Sequence, residues 1–377
     1  MAPDKDTIGV RWAALLAGDR KLLFKEADRQ VSGEYPDVHA SGETLAPILS
    51  LSPSQSPLRI ERYGFRSFDR QWVLADGRVG DRWRPQLLRC WGPKQVFLTS
   101  MLTGILGEGP AATVTGLVPD RHHFRGSFSG KDIVPLWRDK AGLAPNVTGG
   151  LLSKLGVSPE DLFAYCYALL SSPSYVDRFS EELTIPGPRI PITKDPELFS
   201  RVSDAGRELI WVHTYGERFV PAEKTRGQIP KGSARSTKPI PESGDGYPAE
   251  FSYDESTQTL SVGSGAFSPL SSAVWEFSVS GLKVLASWLA YRMRDGAGRT
   301  SSPLDEIRPE HWTIAMTSEL LELLWLLEYT CEKAPDLQGL LDEVVASDLW
   351  TAADLPSPSA QERKPPQAVE SSAVGLF

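Results

Sequence analysis

The feature that most constrains the fold is a change of residue pattern near position 158. Over residues 58–157 the chain shows short apolar alternations broken by Gly and Pro, such as QVFLTS at 95–100, which are typical of strands and turns. Ser158 and Pro159 then form a helix start signal, and segments with helical apolar spacing follow. We therefore predict an α+β fold, with an N-terminal mixed β-rich subdomain followed by a mainly helical subdomain that carries a small β insertion.

The same patterns divide the chain into four segments. We predict a helical lead and linker over 1–57, a β-rich subdomain over 58–157, a mainly helical scaffold over 158–350 and a disordered tail over 351–377. The scaffold should contain a helix that starts at Asp195 and Pro196, a mobile basic loop over 218–249, short strands over 251–277 and a strong apolar helix over 309–332.

Composition places the chain among ordinary globular proteins. Of its 377 residues, 41% are hydrophobic and 23% are charged. The N-terminus lacks the apolar region of a signal peptide, and no run approaches the roughly eighteen apolar residues that span a bilayer, so we expect a cytoplasmic protein. Cys90, Cys166 and Cys331 stand far apart, which indicates neither a disulfide framework nor a zinc site.

An arginine-rich stretch over residues 59–91 is the strongest functional signal. It holds eight arginines, no lysine and six large aromatic residues, with four acids, for a net charge of 8 − 4 = +4. Arginine grips phosphate groups and guanine edges with a planar fork of donors and stacks on aromatic rings. Nucleic acid is therefore the first partner to consider.

A purely structural interpretation of the arginine stretch is also open. The arginines could belong to a half-buried sheet and pair with acids of the same stretch. Those acids are Glu61, Asp69, Asp76 and Asp81.

The overall charge of −8 does not exclude nucleic acid once it is divided along the chain. Residues 304–377 hold 14 acids and 4 bases, a net of −10, so the remainder has a net of −8 + 10 = +2. The acidic end would be a docking face for a catalytic subunit or a DNA mimic that restrains binding.

Few catalytic motifs are present. The chain has no phosphate-binding loop of the Walker type and no Pro-Pro-Tyr or Pro-Pro-Phe motif of adenine-N6 methyltransferases. We predict no catalytic residue, no cofactor and no metal. The cluster around Asp120, His122 and His123 allows three alternatives: acid-base chemistry, a structural pair of histidines, or a turn that contacts DNA.

Several motifs, in one order, resemble the C-terminal specificity region of type ISP restriction-modification enzymes and related adenine-N6 methyltransferases. They are FRSFDRQWVLADGRVGDRWRPQL (65–87), DRHHF (120–124), DIVPLW (132–137), LFAYCYALLSSPSYVDRFSEEL (162–183), PRIPITKDPELFSRVSDAGRELIWVH (188–213) and VWEFSVSGLKVLASWLAYR (274–292). The resemblance covers roughly residues 58–330. Phe65, Ser67, Gln71 and Trp83 depart from the family pattern, and Leu74 and Ala75 replace its paired tyrosines.

The resemblance implies a target-recognition module without its catalytic domains. The 58–157 segment would then be the DNA-recognition subdomain, and double-stranded DNA would be the partner. A methyltransferase or helicase-nuclease subunit would supply catalysis. The expected DNA-binding residues are Arg62, Arg66, Arg70, Arg82, Arg84, His122, His123 and Arg125.

Two alternative functions remain open at this point. One is a complete DNA-modifying enzyme whose site lies around Asp120 and His123. The other is a degenerate scaffold protein that no longer binds DNA.

Overall fold

Helices and antiparallel strands are both present, which confirms the α+β prediction. The computed structural model describes residues 1–18, 35–36, 44–79, 84–124, 132–296 and 302–364. Its helices are α1 (Lys5–Ala17), α2 (Pro85–Cys90), α3 (Gly149–Leu155), α4 (Pro159–Ser171), α5 (Pro173–Arg178), α6 (Pro196–His213), α7 (Ser272–Glu276), α8 (Val284–Ala290) and α9 (Ile314–Ala346). Its strands are β1 (Tyr35–Pro36), β2 (Thr44–Leu45), β3 (Ile60–Arg66), β4 (Asp69–Leu74), β5 (Phe97–Ser100), β6 (Ala112–Thr115), β7 (Asp132–Pro135), β8 (Arg235–Lys238), β9 (Phe251–Asp254), β10 (Thr259–Val262), β11 (Gly265–Ser268), β12 (Ser278–Val279) and β13 (Leu282–Lys283).

The strands form small antiparallel sheets. Strands β3 and β4 form a hairpin, and strands β6, β5 and β7 form a three-stranded sheet in that order. A four-stranded sheet has the order β8, β11, β10, β9. Its first strand lies within the segment 218–249, which was predicted as a basic loop. Two further two-stranded sheets pair β1 with β2 and β12 with β13.

Local capping chemistry fixes the two central helices. The Ser158 side chain accepts a hydrogen bond from the Asp161 backbone N–H at the start of α4, at 3.0 Å. Asp195 caps α6 in the same way, accepting from the backbone N–H groups of Glu197 and Leu198. Both helices therefore begin where the sequence signals indicate.

The main hydrophobic core joins the helices to the β-rich part. Helices α4 and α6 touch closely at Gly206, where an added Cβ would lie 1.9 Å from the Ala164 carbonyl oxygen, so only glycine fits there. One continuous core contains Phe68 of the β3–β4 hairpin, Val114 of β6 and Leu327 of α9. The β-rich part is thus held against the helical part by shared apolar burial.

Helix α9 is longer than the predicted helix over 309–332. It begins at Ile314, where Thr313 caps it, and continues past Pro335 to Ala346. In the described part of the chain, none of the helices combines the length and apolar character needed to cross a bilayer. The described residues of the predicted tail, 351–364, contain turns, and residues 365–377 lie outside the described ranges.

Candidate nucleic-acid interface

The β3–β4 hairpin carries three of the arginines expected to contact DNA. Its register pairs Arg62 with Trp72 and Gly64 with Arg70, so Arg62 and Arg70 project from one face. Phe68 in the connecting turn has a φ of 61° and buries its side chain in the main core. The hairpin is thereby anchored, and it holds both guanidinium groups in fixed positions.

Arg62 and Arg70 each form an ion pair with helix α9. The Nη2–Oε distance is 2.6 Å both from Arg62 to Glu319 and from Arg70 to Glu322. The two glutamates are three residues apart and so lie on one face of the helix. All four side chains are between 19% and 33% exposed, so solvent reaches both pairs. A phosphate oxygen can therefore compete with these carboxylates for the guanidinium groups.

The described acids of the arginine-rich stretch pair with arginines other than Arg62, Arg66 and Arg70. The pairs formed are Asp76–Arg78 at 2.6 Å, Glu61–Arg59 at 4.0 Å and Asp69–Arg292 at 2.8 Å. Asp81 lies outside the described residues. The structural interpretation of the stretch thus holds for Arg78 and for the longer Arg59–Glu61 contact, whereas Arg62 and Arg70 bind acids more than 250 residues away in sequence.

Arg66 binds the turn that begins at Asp120. Its Nη1 lies 2.8 Å from Asp120 Oδ1, and its guanidinium group lies 3.9 Å from the centroid of the Phe65 ring. The same carboxylate oxygen accepts a hydrogen bond from the His122 backbone N–H at 2.9 Å. Arg66 Nε is buried and has no hydrogen-bond partner among the described residues. Asp120 therefore fixes both the turn and the arginine.

His123 packs against the β3–β4 hairpin. It is 2% exposed, and its Nδ1 lies 2.9 Å from Thr99 Oγ1. An added Cβ at Gly64 would lie 3.1 Å from the His123 ring, so the ring packs directly on the β3 backbone. Burial, with a smaller contribution from the Arg66 charge, lowers the pKa of His123 to about 3. The ring is thus neutral at physiological pH and is bonded to Thr99, an arrangement that favours the structural alternative for this histidine.

The remaining predicted arginines are described only in part. Arg84 is the residue directly before α2, and its side chain forms no capping hydrogen bond there. Burial raises the pKa of the Tyr63 hydroxyl, and the charges of Arg84 and Arg66 oppose that rise, so both arginines lie near Tyr63. Arg82 and Arg125 lie outside the described residues, and their contact with DNA stays a prediction.

A cleft of about 240 Å³ opens beside the hairpin, and we call it the Tyr215 cleft. Distant segments of the chain form it: the hairpin, the end of β6, the residues after α6 and part of the basic segment 218–249. The lining residues that matter here are Arg62, Arg70, Trp91, Leu117, Tyr215 and Arg226. In the sequence, Trp91 counted only as one aromatic residue of the arginine-rich stretch, and Tyr215, which lies in no recognisable binding motif, was assigned no role.

Two arginines of the basic segment have different roles at the cleft. Arg218 is buried and donates to the backbone carbonyls of Gln95, Gly92 and Gly116, so it braces the wall. Burial lowers the pKa of Arg218 to about 10. Arg226 is 56% exposed and binds Glu217 at 2.8 Å, so it is the more accessible cation. The structure thus brings the basic segment beside the arginine stretch.

The three cysteine thiols are poorly suited to act as nucleophiles or metal ligands. Burial raises the pKa of Cys90 and of Cys331 to about 11, and that of Cys166 to about 12. All three thiols therefore stay protonated at neutral pH. Across the described ranges, no three His, Cys, Asp or Glu side chains are grouped so that they could hold a metal ion.

Comparison with known families gives one match that covers most of the chain. The family model described as the Type ISP C-terminal specificity domain matches residues 6–323. A comparison with curated protein sequences gives no match.

Solved structures of three larger proteins have a similar fold. A nuclease-deletion mutant of the Type ISP restriction-modification enzyme LlaGI, in complex with a DNA substrate mimic, aligns with a TM-score of 0.51 and 16% identity over 77% of this chain and 21% of that chain. The DrdV–DNA complex aligns with a TM-score of 0.54 and 17% identity over 78% and 30% of the two chains. The ATP-dependent Type ISP restriction-modification enzyme LlaBIII, bound to DNA, gives a TM-score of 0.54 and 17% identity over 80% and 19%. The matched part is less than a third of each of these chains.

Proposed function

Because the chain belongs to the Type ISP C-terminal specificity domain family, we propose that it recognises a DNA target sequence and that another part or subunit carries out the chemistry. The observation that carries this proposal is the β3–β4 hairpin, which presents Arg62 and Arg70 on one face with Arg66 close by. Arginine at fixed positions can both bind phosphates and read guanine in the major groove.

The ion pairs of the hairpin arginines support binding to a polyanion such as DNA. Arg62, Arg66 and Arg70 each pair with one carboxylate through a single short contact. Phosphate can displace a partly exposed carboxylate because both are anionic acceptors. Each arginine that moves onto phosphate also releases counterions from the DNA, which strengthens binding at low salt.

The proposed catalytic partner is an adenine methyltransferase or a helicase-nuclease. The matched structural relatives named as restriction-modification enzymes are about five times longer than the matched region. Recognition by this chain would then direct the chemistry of the partner, either within one polypeptide or between subunits.

The test is a binding titration of the chain with pools of random duplex DNA at two salt concentrations. We expect selection to enrich one sequence motif and the affinity to fall steeply as salt rises. The titration is repeated in the presence of a methyltransferase partner. Absence of binding to any duplex in both settings would overturn the proposal.

Arg66→Ala should weaken this binding and reduce the dependence of log affinity on log salt by about one unit, since one phosphate contact is lost. Fluorescence anisotropy across a salt series measures both quantities. Arg201→Ala is the matched control, because Arg201 is an exposed arginine that pairs with Glu343 on the α6–α9 surface. An equal loss in both variants would mean that the hairpin is not the contact surface.

A further inference from the structure

The Tyr215 cleft has the wall chemistry of a site for a planar ligand. Trp91 and Tyr215 line it, and their polar atoms are already satisfied. Trp91 Nε1 donates to the Gly116 carbonyl at 2.9 Å, and Tyr215 Oη donates to the Phe68 carbonyl at 2.5 Å. The two side chains are thus fixed in place. Such aromatic walls with a few placed polar groups are typical of small-ligand sites.

A stacked guanidinium group extends the aromatic wall. Arg70 Cζ lies 3.5 Å from the centroid of the Tyr215 ring. Unpaired bases stack on aromatic rings and also on arginine guanidinium planes. The pair of Arg70 and Tyr215 therefore provides the kind of surface on which a nucleobase stacks.

Arg62, one of the residues that line the cleft, has a donor without a partner. Arg62 Nη2 donates to Glu319, whereas Arg62 Nη1 is buried and has no hydrogen-bond partner among the described residues. A buried, unsatisfied donor is unfavourable unless a ligand or water supplies an acceptor. A ring nitrogen or a carbonyl oxygen of a base would satisfy it.

Two residues with an unfavourable backbone conformation also line the cleft. Phe68 and Tyr215, both lining the cleft, have φ values of 61° and 56°. Non-glycine residues with a positive φ have a strained backbone, and such residues cluster at ligand sites. The anchoring of Phe68 in the core and the bond between the two residues hold both in place.

We propose that the Tyr215 cleft binds a single nucleotide. The base would stack on Trp91 and on the guanidinium plane of Arg70, which itself lies over the Tyr215 ring, and it would accept a hydrogen bond from Arg62 Nη1. The exposed Arg226 would bind the phosphate. The volume of about 240 Å³ suits one base and is below the usual range for larger ligands.

The source of this nucleotide would be DNA, and this part of the inference rests on the proposed function. A base in a duplex must leave the stack before it can enter a cleft, and the energy required is least for a base that is already unpaired. The chain should therefore prefer a duplex with one unpaired nucleotide.

The experiment compares two duplexes of the same sequence, one fully paired and one with a single nucleotide placed opposite an abasic site. Anisotropy titrations give the ratio of the two affinities. We expect the affinity for the duplex with the unpaired nucleotide to be at least tenfold higher than the affinity for the fully paired duplex. We expect this ratio to fall close to one for Arg62→Met, which removes the donor, and for Leu117→Trp, which fills the cleft. Arg201→Ala should keep the ratio, and thermal unfolding checks that each variant is folded.

A second arm uses free deoxynucleoside monophosphates, with binding followed by tryptophan fluorescence. Weak binding that Leu117→Trp abolishes is expected. Mononucleotide binding without any preference for the unpaired duplex would support a nucleotide site but overturn DNA as its source. A ratio of one together with no mononucleotide binding would overturn the inference and leave the proposed function intact, provided that paired duplex still binds. Failure to bind any duplex would overturn the proposed function, and the mononucleotide arm would still decide whether the cleft takes a nucleotide.

Discussion

Asp69→Ala is expected to lower the free energy of unfolding by about 3–5 kcal/mol, because it leaves a buried guanidinium charge without its partner. Arg292 is 0% exposed and Asp69 is 3% exposed, and Arg292 Nη2 lies 2.8 Å from Asp69 Oδ1. The nearest other carboxylate oxygen recorded, on Glu319, is 3.9 Å away, too far for a hydrogen bond. Denaturation in urea at pH 7 measures the loss.

Two comparisons separate this effect from a general loss of packing. Asp69→Ala combined with Arg292→Met should lose less stability than Asp69→Ala alone, because the double variant no longer buries an unpaired charge. Arg201→Ala, which breaks the exposed pair with Glu343, should change stability much less. A loss in Asp69→Ala no greater than in Arg201→Ala would contradict the assigned role of the buried pair.

The buried pair also positions part of the surface that we propose contacts DNA. Asp69 begins β4 and precedes Arg70, and Arg292 Nη2 also lies 3.3 Å from the Arg70 carbonyl oxygen. Arg292 therefore ties the hairpin to the end of α8 at the position that presents Arg70. Loss of Asp69 should loosen that position before the whole fold is lost.

Local signals in the sequence were enough to predict the main elements. The Ser158–Pro159 start of α4 and the Asp195–Pro196 start of α6 depend on hydrogen bonds within four residues, so the residues themselves contain the information. Strand β5 was predicted for the same reason, since alternation is a local property.

The partners of the arginines could not be predicted, because they depend on tertiary structure. The charge count separated a basic stretch near residue 60 from an acidic end after residue 304. Folding places Glu319 and Glu322 of that acidic end on Arg62 and Arg70. These carboxylates pair with the same guanidinium groups that we propose bind phosphate.

The Tyr215 cleft was hidden from sequence reasoning for a similar reason. Trp91, Leu117, Tyr215 and Arg226 come from separate parts of the chain and share no spacing. The arginine-rich stretch and the basic segment around Arg226 were visible in advance, but not that the fold brings them to one cleft. The positive φ of Tyr215, a residue that is not glycine, leaves no mark in the sequence.

Lowering the pH from 6.5 to 4.5 should reduce the free energy of unfolding by about 2 kcal/mol for each of two buried histidines, His123 and His213. Burial lowers the pKa of both to about 3, with a smaller contribution from Arg66 at His123. Below pH 6.5 the unfolded chain takes up these protons, whereas the folded chain excludes them until about pH 3. The contribution of the two neutral histidines to the free energy of unfolding is therefore fully present above pH 6.5, and it is lost as the pH is lowered toward 3.

The slope of unfolding free energy against pH, measured between pH 6 and 5, reports the number of protons taken up on unfolding. We expect these two histidines to contribute about two protons in this interval, which lies above the range where ordinary carboxyl groups titrate. His213→Asn and His123→Asn should each flatten the slope by about one proton, whatever their effect on stability at pH 7. His213 is held on both ring nitrogens, by the Tyr167 hydroxyl at 2.6 Å and by Thr330 Oγ1 at 2.8 Å. An unchanged slope in His213→Asn would mean that His213 takes up its proton in the folded state, and the buried network around it would have to open to let that happen.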